Sequence, residues 1–364
     1  MNFSLYTEVQ HWARHPRRVY AEVMEQVVHA DRLGYHAYCM VEHFFFPKFS
    51  ISADPLAFFT ACAQHTRQIR FRTLLHVLPL HNPAVLASRI AEANLLLDGR
   101  YEFGVARGHA WEHPKAGVPV TETRDRYEES LEILLAALED GRISHDGRYY
   151  AIRDSAIVPA VDREFRLFLG GTSNETYVLA GERGWAMVVP PLLPYEILRE
   201  PLDLYRDTCA KHGHEPYIVW IHACYLDEDR DTARREAELG MRRFLQGNAS
   251  PLTEHGEIAP AEELEAAGYG FYAQGILEKL AETPYEEMIE GDIVWVGTPG
   301  DIIERIEAVR EECEGLSEIA IAVNAGGTSH WQAIKAQEIF ADHVIPHFRQ
   351  ARVGPEAERA PVRG

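Results

Sequence analysis

Tyr38-Cys39-Met40-Val41-Glu42-His43-Phe44-Phe45-Phe46-Pro47 is the stretch on which the reading of this chain turns. An apolar run leads into a Glu-His pair, and an aromatic loop closed by proline follows. Such a run has the pattern of a buried strand. A strand that ends in a carboxylate and an imidazole delivers both groups to one rim of a sheet, where α/β enzymes carry their chemistry.

Outward from this stretch, short apolar runs alternate with longer segments of helical period, the pattern of a parallel sheet covered by helices. Strands are expected at Phe3 to Tyr6, at the opening stretch, at Ile69 to Leu78, Phe103 to Val105, Phe165 to Leu169, Ala186 to Val189, Ile218 to Leu226 and Ile319 to Val323. Between them, Arg17 to Leu33 has one apolar face and a stop at Gly34, and Asp54-Pro55, Asn82-Pro83 and Thr298-Pro299 each pair a capping side chain with proline at the first helical position. An added hairpin is expected within Tyr149 to Val158. Eight strands separated by helices predict an α/β chain folded as a (β/α)8 TIM barrel with insertions, with a doubly wound open sheet as the runner-up. Residues 1–350 read as a single barrel domain. Within it, Gly247 to Asp292 reads as a long mobile loop, a lid before the last βα units, and residues 351–364 read as a C-terminal tail.

The balance of 36 basic against 56 acidic residues gives a net charge of -20, which excludes polyanionic partners such as nucleic acid or an anionic membrane face. No apolar run reaches the roughly 18 residues of a membrane span. The five cysteines have no CxxC spacing and suit reduced thiols, so a cytoplasmic location is expected.

Three strand ends carry candidate chemistry. Glu42 and His43 follow the second strand, and a histidine there can exchange a proton with an oxygen intermediate near neutral pH; its plain alternative is a packing histidine beside a helix-holding glutamate. Arg107 follows the fourth strand, with Gly108 removing bulk beside it, and a guanidinium there suits capture of a phosphate or carboxylate. Gly170-Gly171-Thr172-Ser173-Asn174 with Thr176 sets small residues and hydroxyls at a helix N-terminus, which attracts anions. Phe44, Phe45, Phe46, Phe49 and Trp111 either line an apolar substrate cavity or pack under a loop. His109-Ala110-Trp111-Glu112-His113 spells the inverted zincin pattern, but Gly108 before it and Pro114 after it leave no helix long enough to hold zinc, so no metal is expected.

In order along the chain, Val41-Glu42-His43-Phe44, Thr73-Leu74-Leu75-His76-Val77-Leu78-Pro79 with His81-Asn82-Pro83, Leu97 to Gly108, and Val296-Gly297-Thr298-Pro299 carry a resemblance. The sequence resembles the bacterial luciferase-like, flavin-dependent monooxygenases. The resemblance implies a two-component enzyme: a separate flavin reductase supplies reduced FMN, molecular oxygen adds to it, and the peroxyflavin oxygenates an apolar or aromatic small organic substrate. It makes His43 the catalytic histidine, with Glu42 its neighbour and support. It places the FMN phosphate on Arg107, with Gly171, Thr172, Ser173 and Thr176 completing that site, and a non-prolyl cis peptide at Leu74-Leu75 beneath the flavin ring. Phe44, Phe46, Phe49, His76 and Trp111 become the substrate pocket. The large luciferase subunit has a second histidine where this chain has Phe44 and a reactive cysteine where it has Ala106, so light emission is not expected. Two alternatives stay open, a deazaflavin-dependent oxidoreductase on the same barrel and a non-catalytic flavin-binding partner subunit. A homodimer packed through helices of the first half is implied by the family alone.

Overall fold

The chain is described by a computed structural model that covers residues 1–161, 165–171, 173–192, 195–254 and 258–350. Its strands in chain order are β1 (Asn2–Thr7), β2 (Ala37–Met40), β3 (Arg70–Val77), β4 (Tyr101–Ala106), β5 (Arg142–Asp146), β6 (Ala151–Ala156), β7 (Leu167–Gly170), β8 (Ala186–Val189), β9 (Ile218–Leu226), β10 (Trp295–Gly297) and β11 (Leu316–Ala322). Eight of them pair in parallel in the order β1-β2-β3-β4-β7-β8-β9-β11, and β11 pairs back to β1, which closes a TIM barrel. The expected hairpin is β5 with β6, and it starts seven residues earlier than the sequence suggested, because Gly141 ends the preceding helix in a left-handed turn. The three-residue β10 was not foreseen; it pairs only with Cys224–Leu226 at the far end of β9.

The helix starts follow from their caps. Asp54 accepts from the Ala57 amide, Asn82 accepts from the Ala84 and Val85 amides, and Thr298 with Asp301 forms a reciprocal capping box. Gly34 adopts φ 77° and returns its amide to the Ala30 and Asp31 carbonyls, which ends the first helix where β2 must begin.

Near the N-terminal ends of the strands the barrel interior is closed by ions rather than by hydrocarbon. Arg72 is fully buried between Glu102 and Glu318, at 2.6 and 2.7 Å, and lies over the Phe168 ring at 4.1 Å. Its donors meet both carboxylates, and the second negative charge is balanced by Arg70, whose Nε lies 2.7 Å from Glu102 Oε1. The opposite rim is therefore free to hold a cavity.

The segment read as a loop from Gly247 to Asp292 is mostly helical. Helix Arg230–Thr253 continues through Pro251, and short helices follow at Ala261–Ala266, Gly270–Ala273, Ile276–Glu282 and Tyr285–Glu290. Its Pro and Gly residues punctuate single turns. The tail 351–364 lies outside the described residues.

Candidate active site

The cavity of about 320 Å³ at the C-terminal rim is walled by the ends of nearly every barrel strand: Glu8 after β1, His43 after β2, Leu74, Leu75 and Val77 in β3, Arg107 to His109 after β4, Gly170 and Gly171 at β7, and Val188 in β8. Of the residues singled out in the sequence, it brings together His43, Phe49, Leu74, Leu75, Arg107, Trp111, Gly171, Ser173 and Thr176. Thr172 lies outside the described residues. Glu42, His76, Phe44 and Phe46 stand behind the wall.

His43 is held in a defined protonation geometry. Its Nδ1 lies 3.0 Å from Oε1 of Glu112, and the same oxygen accepts the Phe44 amide at 3.0 Å. An oxygen that takes a backbone N–H is an acceptor, so Nδ1 carries its proton and Nε2 is the nitrogen left for chemistry. Glu112 is wholly buried and its Oε2 has no hydrogen-bond partner among the described residues, so the hydrogen bonds of this carboxyl go to the His43 loop. It opens the one-turn helix Glu112–Lys115. The ring of His43 packs on Phe49 at 4.4 Å and on His109 at 5.0 Å.

Glu42 points away from this chemistry. It accepts from His76 Nδ1 at 3.0 Å, from the Val77 amide at 3.1 Å and from His81 Nε2 at 2.6 Å. His76 closes the network on the Tyr101 hydroxyl at 2.9 Å. Burial would raise the Glu42 carboxyl, but the two histidines outweigh it and hold the group well below the usual carboxylate range. The sequence reading set Glu42 beside His43 as its catalytic neighbour or support and His76 in the pocket wall; in the loop after β2 the Glu42 carboxyl instead goes to His76, Val77 and His81, where it ties that loop to β3. One oxygen and two nitrogens of Glu42, His76 and His81 lie within 4.8 Å of one another, a spacing that admits a cation, but each group is already satisfied by the others.

Phe44 packs on Phe45 and on the edge of His81. Phe46 is buried in a cluster with Phe49 and Trp111. Of the aromatic loop, therefore, only Phe49 faces the cavity, with Trp111 beside it.

At the other end of the cavity stand two cations, Arg107 and Arg124, with the hydroxyls of Ser173 and Thr176, 3.1 Å apart, at the start of helix Asn174–Arg183. Gly108 follows Arg107 at φ 87°, and a side chain there would run into Val77. Glu175 shares this rim; its own amide and the Ser173 hydroxyl, then Arg124 and Arg107, hold its carboxyl below the ordinary value. The floor between the two ends is Leu75, whose side chain fills the space beside Gly104 and Gly170; the Leu74-Leu75 peptide is cis, where the β3–β4 register shifts.

The segment after helix Arg230–Thr253 roofs the cavity. Arg107 donates to the Ala267 and Gly268 carbonyls and stacks on Tyr269 at 3.8 Å. His109 Nδ1 meets the Tyr272 hydroxyl at 2.6 Å, and His113 Nε2 meets the Tyr269 hydroxyl at 3.1 Å. Burial pushes His113 down to about 4 and lowers His109 as well, so both are neutral near pH 7. The three polar members of the zincin-like pattern thus go to three different partners: His109 to Tyr272 and His113 to Tyr269, both in the roof, and Glu112 to His43.

Sequence reasoning weighed Glu112 only as a zinc partner and passed over Glu8, Arg124, Asn248, Tyr269 and Tyr272. Glu8 was within reach of the strand-end argument, since it directly follows β1. Arg124, on the helix Thr123–Asp140, and the roof residues had no local signal; distant packing brings them to the rim.

The luciferase-like monooxygenase family profile matches residues 1–313. The chain belongs to the luciferase-like monooxygenase family. It is 24% identical over 352 residues to the alkanal monooxygenase alpha chain of Photobacterium leiognathi, covering 92% of this chain and 96% of that one. It is 24% identical over 368 residues to the oxygenase component of the flavin-dependent trigonelline monooxygenase of Acinetobacter baylyi, covering 97% of each. Among solved structures, the monooxygenase RslO1 from Streptomyces bottropensis superposes with a TM-score of 0.78 at 22% identity, over 96% of this chain and all of that one. The FMN complex of the oxygenating constituent of 3,6-diketocamphane monooxygenase from Pseudomonas putida, a type II Baeyer-Villiger enzyme, gives 0.72 at 20% identity, over 95% and 98%. This family is the one that the motifs from Val41 to Pro299 resemble, and the fold is the one they imply.

Proposed function

We propose that this member of the luciferase-like monooxygenases is the oxygenase of a two-component system, binding reduced FMN from a separate reductase and oxygenating a small organic substrate. The observation that carries the reading is the arrangement of one cavity: two arginines and two hydroxyls at one end, an apolar floor in the middle and an oriented imidazole at the other.

The residues fit a flavin mononucleotide. Arg107 and Arg124 with Ser173 and Thr176 offer cationic and hydroxyl donors at a helix N-terminus, the chemistry a phosphate needs. Gly104 and Gly170 leave Leu75 room to form a flat apolar floor for a ring. When bound, reduced FMN supplies the electrons that activate molecular oxygen. The chain's own groups do the rest. Glu112 fixes the His43 tautomer, so Nε2 can accept a proton from, or as imidazolium return one to, an oxygen of the reacting centre. Phe49, Trp111, Tyr272 and Leu277 exclude water above it.

The roof formed by residues 258–290 reads as the lid of the site within a single barrel of residues 1–350. Arg107 is shared between the two roles, since phosphate must take over donors that now serve the Ala267 and Gly268 carbonyls. Val85, Leu95 and Leu96 are about half exposed or more on helix Pro83–Leu96, an apolar face that suits a homodimer packed through the first half of the barrel. All five cysteines are buried and free, as a cytoplasmic protein would have them.

Anaerobic mixing with FMNH2 followed by oxygen tests the proposal. Reoxidation that lags far behind that of free FMN is the expected result, and reoxidation at the free rate refutes it. A parallel titration with reduced deazaflavin decides between the two carriers, and gel filtration decides the dimer.

A further inference from the structure

One polar feature of the cavity is unused by the flavin reading. Glu8, two residues after Tyr6 on the rim of β1, is buried on the cavity wall. Oε1 is 3.3 Å from the Tyr6 hydroxyl, and Oε2 accepts from Asn248 Nδ2 at 3.0 Å. Asn248 spends its second amide proton on the Phe244 carbonyl at 2.9 Å, so its orientation is fixed as a donor. Helix Arg230–Thr253, which carries it, is thereby tied to β1 across the top of the barrel.

Among the described residues no cation touches Glu8. The other charged or titratable groups on the wall, His43, His109, Arg107, Arg124, Glu128 and Glu175 with Tyr127, Tyr269 and Tyr272, do not act on its carboxyl. Burial therefore dominates and pushes Glu8 up to about 8 against the two hydrogen bonds, which lower it. Near neutral pH the side chain is a carboxylic acid. A proton count then follows: neutral Glu8 and Tyr6 own two O–H protons but share a single contact, so one O–H has no acceptor among the described residues. A buried donor without an acceptor is costly unless water or a ligand in the cavity supplies one.

We infer that Glu8, backed by Tyr6 and Asn248, is a specificity-determining hydrogen-bond donor that selects an uncharged substrate with a hydrocarbon body and a carbonyl oxygen. Calling that molecule the substrate rests on the oxygenase reading above; the carbonyl site itself does not. The largely aliphatic and aromatic wall accepts the body, and the acid anchors the oxygen. The donor is useful only where an acceptor oxygen such as a carbonyl arrives, because a pure hydrocarbon leaves it unpaired.

The test is binding of 2-octanone labelled with 13C at the carbonyl, followed by NMR near neutral pH, with octane and octylammonium as comparison probes. Wild-type protein is expected to shift the bound carbonyl resonance downfield. Glu8→Leu loses that shift and weakens 2-octanone roughly tenfold, as loss of one hydrogen bond to a buried donor implies, while octane is unaffected. Glu8→Gln, whose amide still donates, keeps both. An unshifted carbonyl in wild-type protein overturns the inference whether or not the Leu variant folds. So does equal affinity of wild type and Glu8→Leu for 2-octanone, or a preference for octylammonium, which would make Glu8 an ionised partner for cations. FMN binding, measured separately by flavin fluorescence, reports on the oxygenase reading; its absence with Glu8-dependent carbonyl binding intact leaves this site standing and removes only the word substrate.

Discussion

Oε1 of Glu112 accepts both the Nδ1 proton of His43 and the amide proton of Phe44, so one buried carboxylate oxygen fixes the imidazole and the backbone that follows it. The pairing links the loop after β2 to the loop after β4, 69 residues apart. It converts a histidine that two tautomers could satisfy into one with a defined free nitrogen.

Glu112→Ala should therefore impair chemistry without impairing flavin binding, whereas Glu112→Gln, whose one oxygen can still accept from both His43 and Phe44, should largely keep it. Without the acceptor His43 can take either tautomer, and loss of such an orienting partner costs roughly 10–100-fold. Turnover, once a substrate is in hand, or the lifetime of the oxygen-reactive flavin is expected to fall by that factor with the FMN dissociation constant unchanged. A parallel loss of FMN affinity would show that Glu112 holds the fold of the loop and nothing more.

Arg107→Ala and Arg124→Ala should discriminate FMN from riboflavin. Each removes a charge-assisted donor from the phosphate end, worth about 1.5–3 kcal/mol, or roughly tenfold to a hundredfold in affinity. Riboflavin, lacking the phosphate, is expected to bind wild type and variants alike. For Arg107→Ala a second effect runs the other way: the Ala267 and Gly268 carbonyls lose their donor, so the roof exchanges its amide hydrogens faster. Equal weakening of both flavins would place the arginines elsewhere than at the phosphate.

Much of this architecture is legible in the sequence. The strand positions follow from apolar runs bounded by caps and glycines, because a strand buried on both faces has no other composition available to it. His43 and Arg107 could be singled out because they follow strands, and the C-terminal strand ends are where a barrel places its cavity. The partners of Glu42 were not legible, because it sits in the irregular loop after β2 and its carboxyl is claimed by His76, Val77 and His81 from the end of β3 and the turn beyond it. Arg124, Asn248 and Tyr269 were invisible for a different reason: each reaches the cavity from a helix or a roof whose docking is set by contacts far away in the chain. Glu112 lay in plain view inside a metal-like motif, and asking only whether it could bind zinc hid its partner.

Gly104 and Gly170 both lie against Leu75, yet their alanine variants should behave differently. A methyl at Gly170 meets only the far end of the Leu75 side chain, which can rotate away. A methyl at Gly104 also meets the Phe168 carbonyl oxygen at 3.0 Å and its Cβ at 3.1 Å, where the backbone of β7 cannot retreat. Gly104→Ala is expected to cost about 1–3 kcal/mol in urea unfolding, as overpacking of a well-filled core does. Gly170→Ala should cost less and show its effect in flavin binding instead, since a turned Leu75 roughens the floor. Similar unfolding midpoints for the two variants would contradict this division.

Glu8 should make the fold lose stability as pH rises. Its carboxyl is pushed up to about 8 in the folded chain from an ordinary 4.5, so between those values the folded state binds a proton that the unfolded state has released. The slope of unfolding free energy with pH is then negative, at most about 1.4 kcal/mol per pH unit from this one group. Below pH 4.5 the acid is neutral in both states and contributes no dependence. Buried His222, pushed down to about 3, and His113, at about 4, act in the opposite sense: they remove stability as pH falls below 6.5, because only the unfolded chain takes up their protons. Comparing variant with wild type cancels the histidines. Glu8→Gln should match wild type in denaturant unfolding at pH 4.5, exceed it increasingly up to pH 8, and run parallel to it above. A difference that stays flat from pH 5 to pH 8 would mean that Glu8 ionises in the folded chain as readily as in water, and its neutral acid form would be lost as a source of binding.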